Sequence, residues 1–168
     1  MDPLSSEIRA VLPNDPDVVP LLEHHVSLMR ASSPSCSVHA MDADRLLKEN
    51  VAFFAAFEGT VAVAIGGLKR LSGDHGEIKS MHVAEASRGC GLARAMLARL
   101  LEVARVQGLE RISLETGSQD AFAPARAFYA REGFAPCPPF ADYEPDPNSV
   151  FMTRMLSPRG GDMRAGTT

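Results

Sequence analysis

Gly76-Glu77-Ile78-Lys79-Ser80-Met81-His82-Val83-Ala84-Glu85-Ala86-Ser87-Arg88-Gly89-Cys90-Gly91-Leu92-Ala93 reads as a short strand that runs through a turn into the opening of a long helix. The helix carries the clearest periodicity. Leu92, Met96, Leu100 and Val103, joined by Ala93, Leu97, Leu101 and Ala104, recur at helical spacing, while Arg94, Arg99, Glu102 and Arg105 mark the wet side. Gly108 ends it, free to take the left-handed conformation that closes helices. At the front, Arg88-Gly89-Cys90-Gly91 places two residues without a β-carbon where the chain turns and the unpaired N–H groups of a first helical turn begin. Such a turn is an anion site.

The kind of anion is narrowed by what is missing. Leu92-Ala93 follow Gly91 where a Walker loop has its lysine and hydroxyl, and the spacing is not the dinucleotide G-x-G-x-x-G. A diphosphate held by backbone amides, with Arg88 adding a charge, remains open. So does a plain tight connection between strand and helix.

Downstream lie a strand, Arg111-Ile112-Ser113-Leu114-Glu115, a turn, Thr116-Gly117-Ser118-Gln119-Asp120, and a helix, Ala125-Arg126-Ala127-Phe128-Tyr129-Ala130-Arg131-Glu132-Gly133-Phe134. Arg88-x-x-Gly91-x-Ala93 resembles the Arg/Gln-x-x-Gly-x-Gly/Ala signature of the GCN5-related N-acetyltransferase (GNAT) superfamily. The helix ending in Tyr-x-x-x-Gly-Phe resembles that family's second block. The two blocks with their connection cover Gly76 to Phe134, about a third of the chain.

The resemblance implies an α/β fold: a mixed, mainly antiparallel sheet of six to seven strands, splayed between the fourth and fifth, with about four helices. It implies an enzyme that uses acetyl-CoA to acetylate the primary amine of a small molecule, an amino acid or a similar amine. In site residues it implies Glu77 as base, eleven positions before Arg88, and Tyr129, four before Gly133, as the acid that protonates the departing thiolate. The backbone of Arg88, Gly89, Cys90, Gly91, Leu92 and Ala93 would hold the diphosphate. The pantetheine arm would lie along Met81, His82 and Val83. Many members carry an asparagine before the final helix, and here Ser118-Gln119-Asp120 stands in its place, so Ser118 and Asp120 are the candidates for that contact. A homodimer is left open, since dimers are common in the resembled family.

Residue chemistry supplies alternatives. Tyr129 beside Phe128 also suits an amphipathic helix face, and Glu77 a strand end in water. A glutamate with an ordinary pKa of about 4.3 is a poor base for an ammonium, so partial burial or a water relay is expected. Glu115, ending the next strand, is the second candidate base. His82 reads as a packed strand histidine. A non-catalytic acyl-CoA sensor would keep the glycine turn without needing Glu77 or Tyr129.

The chain of 168 residues, 45% hydrophobic and 23% charged, suits one domain over 1–156 with a loose tail over 157–168. A net charge of −4 argues against a general nucleic-acid binder. Cys36, Cys90 and Cys137 are odd in number without metal-ligand spacing, which suits a reducing cytoplasm, and no metal is expected. No apolar run is long enough to span a membrane, so a soluble cytoplasmic protein is expected.

The remaining elements follow in order. Met1 to Ser6 is a loose end and Glu7 to Leu12 a first strand. A helix capped by Asp15 or Asp17 runs to about Arg30, with Pro16 near its first turn. Ala31 to Met41, carrying Cys36 and His39, is a loop on the acceptor side, and Asp42 caps a short helix. Val51 to Phe57 and Thr60 to Leu68 form a buried hairpin, with a bulge or bend at Gly66-Gly67. Pro136, Pro138 and Pro139 confine the stretch after Phe134 to an edge or loop. Asp142, Tyr143, Asn148 and Ser149 form a polar group able to shape the acceptor end before a last strand, Ser149 to Leu156.

Overall fold

The computed structural model describes residues 7–157. The expected loose end before Glu7 and residues 158–168 of the expected tail lie outside the described residues. Seven strands, β1 (Ile8–Ala10), β2 (Ala52–Glu58), β3 (Val61–Ser72), β4 (His75–Val83), β5 (Arg111–Gly117), β6 (Ala135–Pro136) and β7 (Ser149–Met155), form one sheet in the order β1-β2-β3-β4-β5-β7-β6. Among the described residues only β4 and β5 are parallel neighbours. Parallel neighbours need a crossover, and α3 (Leu92–Val106) supplies it. The proline-rich stretch after Phe134 gives β6, on the sheet's edge as expected.

Each face of the sheet has its own core. α3 and α4 (Ala123–Arg131) cover one face, over Ile78, Ile112 and Leu114. α3 buries Leu92, Met96, Leu97, Leu100, Leu101 and Ala104 there, and each fully buried large side chain contributes about 1.5–3 kcal/mol. α1 (Val19–Ser32) and α2 (Ala43–Lys48) cover the other face, over Phe53, Ala55 and Ile65. The β2–β3 hairpin is buried on both faces, which is why its sequence reads as nearly continuous apolar runs.

Asp42 caps α2, accepting from the Arg45 N–H at 2.9 Å. α1 departs from expectation. Asp15 Oδ1 instead takes the Asp17 N–H at 2.9 Å, closing a local turn. The helix therefore starts later, at Val19, with no side-chain cap and Pro20 rather than Pro16 in its opening positions.

The irregularity near Gly66-Gly67 falls on the facing strand. Ile65 pairs with His82 and Gly67 with Lys79, so Gly66 alone stands opposite Ser80 and Met81. The extra residue belongs to β4, and Ser80 takes φ 55°. Gly66 is small for a second reason: a Cβ there would stand 2.9 Å from Met96 Cγ on α3.

Candidate active site

β4 and β5 are joined at one end only. His75 pairs with Arg111, Gly76 with Ile112 and Glu77 with Ser113; beyond these β4 runs on to Val83 and β5 to Gly117 without pairing. The sheet is thus splayed between its fourth and fifth strands, as the resemblance implies. Side chains alternate along a strand, so Ile78 enters the α3 core while Glu77 and Lys79 project from the opposite face. Glu115, two residues past Ser113, projects from that face too.

The loop between β6 and β7 comes over these residues. Tyr143 donates its hydroxyl to Glu77 Oε2 at 2.5 Å. Lys79 Nζ donates to Tyr143 Oη at 2.9 Å and to Glu77 Oε2 at 3.3 Å. Glu77 is 3% and Lys79 8% exposed. The Tyr143 ring meets His39 edge-on at 5.0 Å, so the loop after α1 reaches the same place. Burial and the Glu77 carboxylate push the Tyr143 phenol far above its ordinary value, keeping it a donor.

Glu115 stands apart electrostatically. Burial pushes its carboxyl up to about 7; the Ser149 hydroxyl and Lys79 oppose this shift, and Glu77 and Asp146 reinforce it. Ser149 Oγ, although beside Glu115, is buried without a hydrogen bond of good geometry. Asn148 Oδ1 accepts from Gln119 at 3.2 Å and its amide donates to Ser37 Oγ at 3.4 Å, fastening this corner to the loop after α1. Asp142 is exposed and takes no part in these contacts.

At the far end of β4 the glycine turn has the expected geometry. Gly89 and Gly91 adopt φ 81° and 84°. The first bond into α3 runs from the Ala95 N–H to the Gly91 carbonyl, leaving the N–H groups of Leu92 and Ala93 without helical partners. A Cβ at Gly89 would meet nothing within 4 Å, so the turn borders open space. Arg88 Nε donates to the Val83 carbonyl at 3.2 Å, tying the turn to the strand's end. Cys90 is exposed, its thiol donating to the Ser87 carbonyl at 2.7 Å.

Tyr129 lies buried between Phe128 and Phe134, and its phenol has no hydrogen-bond partner among the described residues. Burial raises its pKa well above the ordinary tyrosine value. Met81 and Val83 pack toward the α3 core, whereas His82 faces α1, its Nδ1 3.2 Å from His25 Nδ1. Burial and neighbouring cationic groups lower His25 to about 3 and His82 to about 4, so the pair is neutral. Ser118 is turned inward, its N–H on the Asn148 carbonyl and its hydroxyl on the Pro147 carbonyl, while Asp120 is exposed.

Sequence reasoning missed Lys79 as a site residue. The signal was available, because residues two apart on a strand share a face and Glu77 was already a candidate.

A mixed sheet opened between two parallel strands, with carboxylates on one face and an amide-lined glycine turn at the rim, is the frame of an acyl-coenzyme A dependent acyltransferase. The acetyltransferase (GNAT) family model matches residues 18–134, and the chain belongs to that family. It is 45% identical over 139 residues to an uncharacterised N-acetyltransferase of Bacillus subtilis, covering 83% of this chain and 92% of the relative. It is 35% identical over 140 residues to an IAA acetyltransferase of Azospirillum brasilense, covering 83% and 90%. Among solved structures, a Klebsiella pneumoniae protein put forward as an acyl-CoA N-acyltransferase superposes with a TM-score of 0.73 at 26% identity, over 90% of this chain and 97% of that one. A Thermoplasma acidophilum N-acetyltransferase in complex with coenzyme A superposes with a TM-score of 0.69 at 15% identity, over 89% and 98%. The chain is an N-acetyltransferase that uses acetyl-CoA, and its open glycine turn and splayed strands suit that cosubstrate. No helix among the described residues is long and apolar enough to cross a membrane.

Proposed function

We propose that the enzyme moves the acetyl group of acetyl-CoA directly to the primary amine of a small molecule. One observation carries this reading: two carboxylates, the buried Glu77 and the half-buried Glu115, share one face of the strands where these part. An amine acceptor is an ammonium at neutral pH and must lose a proton before its nitrogen attacks. Glu115, held at about 7, is the better matched of the two to take that proton. Glu77, the base that the resemblance implies, then fixes Lys79 and Tyr143 through Oε2. The nitrogen–carbon bond forms, the carbon–sulfur bond breaks, and the Tyr129 phenol gives its hydrogen to the departing sulfur. The phenol is protonated at neutral pH, as a donor must be.

A backbone N–H near Met81 or His82, beside the bulge at Ser80, is the donor we assign to the thioester oxygen. Met81, His82 and Val83 offer an unpaired strand edge for the pantetheine arm. Arg88 and the amides of Gly89, Cys90, Gly91, Leu92 and Ala93 would receive the diphosphate. Of the two residues set against the missing asparagine, Asp120 remains available, since Ser118 is occupied with Asn148 and Pro147.

The test is thiol release from acetyl-CoA with a panel of amines and amino acids, in wild type and in Glu115→Gln, Glu77→Gln and Tyr129→Phe. Turnover that falls about 10²-fold in Glu115→Gln and Tyr129→Phe while coenzyme A still binds supports the reading. A larger loss in Glu77→Gln than in Glu115→Gln would exchange the roles of the two carboxylates. Coenzyme A binding with no thiol release from any acceptor would overturn amine transfer.

A further inference from the structure

We propose that Lys79 reads a carboxylate on the acceptor, and that the acceptor is an amino acid or other amino carboxylate rather than a plain amine or a polyamine. The inference rests on the amine-transfer reading and names the substrate class for the same site.

An ammonium only 8% exposed is out of place in a site built for another cation. Lys79 has three hydrogens to donate and spends two, on Tyr143 Oη and Glu77 Oε2. The third has no partner among the described residues. Glu77 is similarly half spent: Oε2 takes both Tyr143 and Lys79, while Oε1 accepts no hydrogen bond from the described residues. Beside them lie Glu115 and, next to it, the Ser149 hydroxyl. The unspent atoms are thus carboxylate oxygens and one ammonium hydrogen, on the same face of β4 and β5.

The charges select among ligands. Glu77 and Lys79 cancel, and Glu115 is about half ionised at neutral pH, so these three side chains together hold less than one net negative charge. A polyamine would bring a second positive charge against Lys79 with nothing to offset it. A monoamine would leave the third Lys79 hydrogen buried and unused beside its own ammonium. A zwitterion satisfies both sides: its ammonium meets the carboxylates and its carboxylate meets Lys79. Glu115, Tyr143 and Ser149 are the half-buried members of this cluster, and such a ligand would enter past them.

The experiment compares amino acids with the amines obtained by removing their carboxyl group, such as phenylalanine with phenethylamine and leucine with isopentylamine. Thiol release is followed in wild type, Lys79→Met and Lys79→Arg, each first shown to melt cooperatively and to bind coenzyme A. Wild type should favour the amino acid of each pair at least tenfold in kcat/KM. Lys79→Met should reduce that ratio at least tenfold, mainly through KM for the amino acid, and Lys79→Arg should restore part of it. A wild-type preference for the decarboxylated amines, or an unchanged ratio in Lys79→Met, would overturn the proposal. Should no compound release thiol, amine transfer itself fails, and the same pairs are read by ligand-induced thermal shift with coenzyme A present. Stabilisation of wild type by amino acids alone, lost in Lys79→Met, would then support the carboxylate site, and equal or no shifts would overturn it.

Discussion

Tyr143 donates to Glu77 at 2.5 Å across 66 residues of sequence, closing the β6–β7 loop onto the start of the splay between β4 and β5. The same oxygen accepts from Lys79, so one hydroxyl satisfies two buried charged groups. Tyr143→Phe keeps the ring contacts with His39, Phe140 and Phe151 and removes only this bridge. We expect a loss of about 1–3 kcal/mol in stability, the cost of leaving buried polar groups short of a partner, with a raised KM for the acceptor. Chemical unfolding and steady-state kinetics measure the two, and an unchanged unfolding midpoint would show that the bridge is energetically idle.

The left-handed Gly91 gives a second expectation. Valine at φ 84° is strained by roughly 1–2 kcal/mol and brings a branched side chain to the amides that open α3. If those amides hold the diphosphate, Gly91→Val should weaken coenzyme A binding at least tenfold, more than its loss of stability explains. Titration calorimetry beside thermal melts separates the two, and intact affinity in a destabilised protein would leave the glycine with a purely structural role.

How far the sequence could be read follows from the range over which its signals act. The α3 periodicity, the buried hairpin and the Asp42 cap are local, set by residues within a turn or two of each other, and they stand in the structure with nearly the expected bounds. The splay of β4 and β5 came from resemblance, since pairing between strands separated by a helix leaves no mark in either strand. The bulge was placed on the wrong strand because glycines report where a neighbour crowds in, here Met96, as readily as where a chain bends. Glu77 and Glu115 were legible as candidates, but the difference between their surroundings depends on Tyr143, in a loop with no periodic pattern, and on Ser149, which opens a strand far along the chain.

Gly66 offers a direct check on the packing behind the bulge. A Cβ there would lie 2.9 Å from Met96 Cγ, 3.1 Å from Leu100 Cδ1 and 3.2 Å from Met81 Sδ. Gly66→Ala must therefore push α3 or β4 aside, and we expect about 1–3 kcal/mol of destabilisation. Because Met81 adjoins the bulge, the kcat should fall as well. A variant as stable as wild type would mean that the methionine side chains absorb the methyl group without moving the helix.

Titratable groups buried or half-buried on the face opposite α3 make stability depend on pH in opposing directions. His25 and His82, lowered from 6.5 to about 3 and about 4, stay neutral in the fold while the unfolded chain takes up protons below pH 6.5. The unfolded state then binds more protons, so stability falls as the pH drops from 6.5 toward 4, by up to about 1.4 kcal/mol per pH unit for each histidine. Glu115 works the other way. Raised from 4.5 to about 7, it keeps its proton in the fold where the unfolded chain has lost it, so its contribution is most favourable at low pH and declines as the pH rises from 4.5 to 7. Wild type should therefore lose less stability between pH 6.5 and 4.5 than the histidines alone would cause. Glu115→Gln removes the opposing term and should steepen that loss, whereas the double variant His25→Leu, His82→Phe should flatten or invert it. Urea unfolding of the three proteins at half-unit steps of pH measures these slopes, and identical slopes would mean that neither group changes its proton affinity on folding.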